Sequence, residues 1–325
     1  MNLPRSRIVR RAVHGVLLLD KALGVSSNAA LQQAKRLYRA EKAGHTGTLD
    51  PLATGLLPLC FGAATKFAQL SLDADKRYRA TLRLGVTTTT GDGEGEVVQQ
   101  REVHVGRADV EAVCARFVGT IRQLPPMHSA LKHAGKPLYD YARAGVEVER
   151  EPRTITLLAI EIVEGEGERW TLDVSCSKGT YIRTLAQDIG EALGCGAHLV
   201  ALRRIASGRL GIDAALTIER LAGLSPAALD AVLLPVDTLV SDWLRVDLTA
   251  EDAGRFLAGV RRRLGLADAA QVRVYGPGGA FLGTGHVAAG ELIATRLLSP
   301  AEVAAASAGP EAPVLRIEES ESLLS

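Results

Sequence analysis

The stretch Gly44 to Gly55, GHTGTLDPLATG, constrains this chain more than any other. Three glycines and a proline rule out the interior of a helix or a central strand, so a shaped loop must form here. The loop brackets one carboxylate, Asp50. Proline after Asp50 bars the α region to that aspartate, which leaves its carboxylate on a pre-set extended backbone. A rigidly aimed carboxylate is what nucleophilic catalysis requires. The same Asp-Pro pair also fits a helix start, with Asp50 as N-cap and proline at the first helical position. Gly55 and Pro58 would hold such a helix to about one turn.

At 325 residues the chain exceeds a usual single domain, and two domains, one of them large, are expected. A hydrophobic share of 47% supplies a sizeable core, and a net charge of +1 leaves room for basic patches but not for a positive coat. The cations are 30 arginines against 8 lysines. Arginine is the better fork for phosphate, although a compositional bias of the genome explains the same skew. Cys60, Cys114, Cys176 and Cys195 form no Cys-x-x-Cys pair, which suits reduced thiols in the cytoplasm and gives no metal framework. Arginines before Val16-Leu17-Leu18-Leu19 mimic a signal peptide, but the apolar run stops at Asp20-Lys21. No run approaches the roughly 20 apolar residues of a membrane span, so a soluble, cytoplasmic protein is expected.

Residues 1–13 read as a basic flexible tail and 15–19 as a buried strand. Ser26-Ser27-Asn28 caps a helix over about 28–40. After the loop, 56–61 is apolar, and 76–84 alternates, with Tyr78, Ala80, Leu82 and Leu84 on one face of a half-buried strand. Tyr78 fits a core tyrosine equally well on spacing alone. Residues 87–96 read as a turn, because the ligand pattern of a calcium loop is absent. A helix over about 107–118 follows. Residues 124–151 mix His128, Lys132, His133, Lys136 and Arg143 with Tyr139 and Tyr141, which suits either an RNA-contacting excursion or a solvated loop. Strands at 153–163 and 169–176 lead into Ser177-Lys178-Gly179-Thr180-Tyr181-Ile182-Arg183 and a helix to about 193. Lys178 and Arg183 flank a glycine there, as at many anion sites. Another strand over 198–205 carries Arg203 and Arg204. A domain boundary near 240 precedes a helix over 249–260, Arg261-Arg262-Arg263, and short strands at 271–276, 280–287 and 291–297. The tail over 310–325 is acidic and polar.

In these segments the chain resembles the bacterial tRNA pseudouridine 55 synthases of the TruB type. The resemblance runs from Gly15 to about Leu298 and is most specific over Ala43 to Gly55. It continues through Gly15 to Lys21 with Ser26-Ser27, Asp75-Lys76-Arg77-Tyr78, Pro125-Pro126-Met127 through Ser129-Ala130, and Cys176 to Arg183. It implies an α+β pseudouridine-synthase fold over 14–240, a mixed and mostly antiparallel sheet flanked by helices. A small β-rich PUA-type RNA-binding domain is implied over 241–309, and 124–151 corresponds to an insertion that folds over the T arm of tRNA. Asp50 matches the nucleophile, His45 the histidine that enters the T loop, Tyr78 the tyrosine stacked on the flipped uracil, and Arg183 the partner of the carboxylate. Tyr181 and Lys21 match further pocket residues, and Lys178 joins them as substrate-binding. The chain departs from its relatives at Thr89, where aspartate is frequent, and at His128, where tyrosine is usual.

The implied chemistry breaks the N1–C1′ bond of uridine, turns the ring and rejoins it through C5. No cofactor is required and no cofactor motif is present. Flipping the base out of a folded loop costs a few kcal/mol. Stacking on a ring such as Tyr78 returns roughly 1 to 3 kcal/mol, enough to offset it. Water must be kept from the detached ring, yet desolvation favours a protonated carboxyl, so a fixed cation such as Arg183 must accompany Asp50. A monomer with no obligatory protein partner and no membrane contact is expected, with tRNA as its substrate. Two other classes remain: a non-catalytic tRNA-binding or folding protein on the same scaffold, and a hydrolase. The hydrolase is disfavoured because no Gly-x-Ser-x-Gly elbow occurs.

Overall fold

The fold is built on the alternation already visible at Lys76–Leu84. This strand buries Ala80, Leu82 and Leu84 while Arg77, Arg79 and Arg83 face outward. The computed structural model describes residues 9–307. In chain order the main sheet receives β1 (Gly15–Lys21), β2 (Ala53–Phe61), β3 (Lys76–Leu84), β4 (Gly119–Gln123), β5 (Arg153–Glu166), β6 (Arg169–Cys176) and β7 (Ala197–Ser207). Their spatial order is β1-β2-β7-β3-β6-β5-β4. Every neighbour pair along it is antiparallel except β2 with β7, which run parallel. The expected mixed, mostly antiparallel α+β sheet is therefore present. Helices packed on it include α1 (Ser27–Leu37), α2 (Arg107–Phe117) and α3 (Ile182–Ala192). The apolar stripe of α3, with Leu185, Ala186 and Ile189, closes over Leu82, Leu172 and Leu199.

The central strands β7 and β3 determine what meets at the site. Arg204 stands opposite Tyr78 on one side and Gly55 on the other, so the strand after the glycine-rich loop and the strand bearing Tyr78 share one neighbour.

A second sheet follows, in the order Leu244–Asp247, Ala269–Tyr275, Phe281–Ala288, Glu291–Leu297 and Arg262–Arg263. Its core is separate, but Tyr275, Phe281 and Leu298 pack with Val16, Leu56 and Phe67 of the first unit. Lys66 donates to the Leu297 carbonyl at 2.9 Å and pairs with Glu302 at 2.5 Å. Apolar and ionic contacts together seat this unit against the first.

Several expectations change at element ends. β1 runs on through Asp20 and Lys21 because both pair with β2. α1 stops at Leu37, and Arg39 turns to a φ of +52°. Residues 1–8 of the expected basic tail lie outside the described residues. By Arg11 the chain is no free tail: its guanidinium holds both oxygens of Asp230, at 2.8 and 2.5 Å, and Val13 is buried. The expected acidic tail also lies outside the described residues. The strand Leu244–Asp247 and the helix Pro300–Ser307 carried too little apolar periodicity to be anticipated. No helix among the described residues is long and apolar enough to cross a membrane.

Candidate active site

The glycine-rich loop takes its shape from hydrogen bonds at nearly every residue. Thr46 donates its amide to the Pro58 carbonyl at 3.2 Å, and the Gly47 carbonyl accepts from Arg204 at 3.3 Å. The Ser27 hydroxyl accepts from the Leu49 amide at 2.7 Å and donates to the Leu49 carbonyl at 2.9 Å. The Asp50 carbonyl accepts from Ala53 at 3.0 Å, and the Pro51 carbonyl from Gly24 at 2.9 Å. Asp50-Pro51 therefore opens a tight turn into β2 and starts no helix. Gly47 and Gly55 take φ values of +138° and +98°, closed to other residues at low cost.

This scaffold delivers the Asp50 carboxylate to Arg183, whose Nη2 lies 2.9 Å from Oδ2. Arg183, on the first turn of α3, is held by more than Asp50. Its Nη1 lies 3.4 Å from Asp92 Oδ2, and it donates to the carbonyls of His128 at 2.7 Å and Thr90 at 3.3 Å. The side chains of Arg183 and Asp92 are 7% and 5% exposed, whereas that of Asp50 is 46% exposed. The required cation is in place. The expected exclusion of water from Asp50 is not supplied by the free protein.

Two cavities meet at this ion pair. The inner one, about 250 Å³, is lined by Asp50, Lys76, Tyr78, Tyr181, Arg183 and Arg204, with apolar walls from Leu72, Ile182 and Leu202. The outer one, about 510 Å³, is lined by His45, Asp50, Asp92, Arg183 and, from the 124–151 insertion, Ser129, Tyr139 and Arg143. Asp50, Tyr78, Tyr181 and Arg183 thus converge on the inner cavity and His45 on the outer. Burial raises the phenols of Tyr78 and Tyr181 above their ordinary value, with Arg204 opposing the shift at Tyr78. Burial, then Arg204, holds the His45 imidazole below its ordinary value.

Lys21 and Lys178 are not brought into either lining. Lys21 is buried and donates to the carbonyls of Ala22 at 3.0 Å and Val25 at 2.6 Å, bracing the segment that holds Pro51. Burial pushes its ammonium down to about 8. Lys178 is exposed and pairs with Asp73 at 2.7 Å, while Arg183 faces carboxylates. Sequence reasoning missed Asp92, read only as part of a turn, and Gln123. The buried Gln123 accepts from the Tyr181 amide at 2.8 Å and donates to the Tyr181 carbonyl at 3.1 Å, which sets the entry to α3. It missed Arg204 as well. The insertion forms a short hairpin, Lys132–His133 with Lys136–Pro137, and a helix, Leu138–Arg143. Lys136 lies 5.0 Å from the ring centre of Tyr141 and Arg143 lies 5.4 Å from that of Tyr139.

Known proteins resemble this chain in sequence and in fold. Residues 35–182 match the model described as TruB family pseudouridylate synthase (N terminal domain). Residues 183–241 match the tRNA pseudouridylate synthase B C-terminal domain, and 245–298 match Pseudouridine synthase II TruB, C-terminal. A Burkholderia mallei protein named tRNA pseudouridine synthase B is 56% identical over 302 residues, 91% of this chain and 97% of the relative. A Ralstonia pickettii protein of the same name is 60% identical over 273 residues, 82% of this chain and 86% of the relative. The fold matches a solved Cbf5–Nop10–Gar1 complex with a TM-score of 0.68 at 27% identity, over 88% of this chain and 84% of that one. It also matches an H/ACA RNP bound to a substrate RNA containing 2′-deoxyuridine, with a TM-score of 0.68 at 23% identity, over 89% and 86% of the two chains. Family models succeed one another from residue 35 to 298 and the relatives are matched over most of their length, so the chain belongs to the TruB family of pseudouridylate synthases.

Proposed function

We propose that this protein is a tRNA pseudouridine synthase that isomerises uridine 55 in the T loop, acting alone as a monomer in the cytoplasm. The observation that carries the proposal is the position of Asp50, half exposed where the two cavities meet and paired with a buried arginine. A flipped uridine entering the inner cavity lays its base against Tyr78, and its ribose C1′ comes to the Asp50 carboxylate at the neck. The strand it left occupies the outer cavity beside His45. Arg183 stays paired with Asp50 while the incoming nucleotide supplies the water exclusion that the free protein lacks. Lys132, Lys136 and Arg143 of the insertion, interleaved with Tyr139 and Tyr141, suit phosphates and unstacked bases. The second unit, a PUA-type module, adds a further RNA-binding surface.

The test is release of tritium from uracil C5 in a T-arm RNA, with wild type and Asp50→Asn in parallel. Wild type is expected to release it, and Asp50→Asn to lose at least about a thousandfold in rate with RNA binding kept. Equal release by both would refute the role of Asp50, and release by neither with RNA still bound would favour a tRNA-binding protein on this scaffold.

A further inference from the structure

Two arginines are buried in this site, and their surroundings differ. Arg183 has two carboxylates. Arg204 is 2% exposed and lines the same inner cavity, yet among the described residues no carboxylate lies within 4.0 Å of it. Its Nε donates to the Leu56 carbonyl at 2.7 Å and its Nη2 to the Gly47 carbonyl at 3.3 Å. Those bonds orient the guanidinium and leave its charge unmatched. Lys76 lines the cavity as well, buried, with its Nζ on the carbonyls of Leu72 and Ala74 and likewise no carboxylate within 4.0 Å among the described residues. Burial pushes its ammonium down to about 8, with Arg204 the next contributor. Arg183 alone does not balance Asp50 and Asp92, but with Arg204 and Lys76 there are three positive charges against two negative, and the surplus of one lies at the inner end of the cavity. A buried charge without a counter-ion is costly, and an arriving anion relieves that cost.

The shape of the cavity limits which anion can arrive. Leu72, Ile182, Leu202 and Tyr78 give the lining apolar surface, which suits the faces of a ring better than a phosphate. In the isomerisation proposed above, breaking N1–C1′ leaves the bonding pair on N1. The free ring then carries one negative charge spread onto O2 and O4, and Asp50 faces the matching positive charge at C1′. C5 next donates a pair to C1′, the C5 proton leaves and N1 gains one, so atoms and charge balance.

We propose that Arg204 is a catalytic residue whose guanidinium, backed by Lys76, holds the negative charge of the detached uracil ring while Arg183 serves Asp50. The assignment rests on the uridine-isomerase reading. Donors fixed where charge develops act most strongly in a site shielded from water.

The test compares T-arm RNAs carrying uridine or 5-fluorouridine at the target, in single turnover, by disappearance of the N-linked nucleoside. Fluorine stabilises the ring anion, so that substrate depends less on the cation. Arg204→Gln keeps a donor for the carbonyls and removes the charge. It is expected to slow uridine by at least about 100-fold and 5-fluorouridine by under about tenfold, with RNA affinity within about threefold of wild type. Equal losses on both substrates would mean that Arg204 only fixes the loop, and would overturn the proposal. A loss confined to affinity, with a shallower salt dependence, would place a backbone phosphate on Arg204 and overturn it too. Should thermal melting show Arg204→Gln unfolded, Arg204→Lys replaces it: keeping the charge, it should hold uridine within about tenfold, and a loss of about 100-fold on both substrates would refute the idea. Wild type converting neither RNA would instead refute the isomerase reading itself, and with it this assignment.

Discussion

Arg183→Met removes a cation from between two carboxylates that differ in their access to water, and the cost is calculable from that difference. Asp50, 46% exposed, can be hydrated in place of its partner, and its share of the loss is about 0–1 kcal/mol. Asp92, 5% exposed, cannot, and removing one partner of a buried pair costs about 3–5 kcal/mol. Together the shares come to about 3–6 kcal/mol, and at roughly 2–4 °C per kcal/mol for a unit of this size the melting temperature should fall by roughly 6–24 °C. Asp50→Asn leaves Arg183 paired with Asp92 and should move it by under about 4 °C. The double variant Arg183→Met/Asp92→Asn removes both buried charges and should recover at least about 1 kcal/mol relative to Arg183→Met. Thermal and urea melts of all four proteins measure this. The reasoning fails if Arg183→Met melts within about 2 °C of wild type, or if the double variant is less stable than the single.

Gly55→Ala tests the backbone beneath the loop. At φ +98° a side chain costs about 1–2 kcal/mol, and its Cβ would run into the Arg204 carbonyl and stand 2.9 Å from the Arg204 nitrogen, adding about 1–3 kcal/mol of overpacking. A loss of about 2–5 kcal/mol in urea melts is expected, and an unchanged midpoint would contradict it. Asp173, buried in the sheet, accepts from Arg79 Nε at 2.8 Å, and chiefly that bond holds its carboxyl below the ordinary 3.8. Between the two values the unfolded chain binds more protons, so the stabilisation is complete above about 3.8 and disappears as pH falls through the lower, folded value. The melting gap between wild type and Asp173→Asn should stay constant above about pH 5 and close below about 3.8, and a gap that widened on acidification would overturn the assignment.

The strands with clean alternation were legible because period-2 burial is a local property. Lys76–Leu84 needs only its own residues to declare its buried face. Ends were less legible, since β1 continues through Asp20 and Lys21 only because β2 is there to pair with them. Loop chemistry was partly legible. Asp50-Pro51 fitted a cap and a catalytic turn alike, and the alternatives separate only when Ser27 and Gly24 of distant segments bind Leu49 and Pro51. The insertion's mixture of cations and rings was visible, but not that its His128 carbonyl would reach Arg183.

By itself the sequence determined the glycine-rich loop with its single carboxylate and the alternating strands. Those are written in residue types that restrict the local backbone. Only the tertiary structure decided which charges share a site. Asp92 became the second partner of Arg183, Lys178 was drawn away to Asp73, and Arg204 was set between Gly55 and Tyr78 without a carboxylate. Electrostatic partnership depends on distance and burial, and both are fixed by strand order rather than by neighbours along the chain.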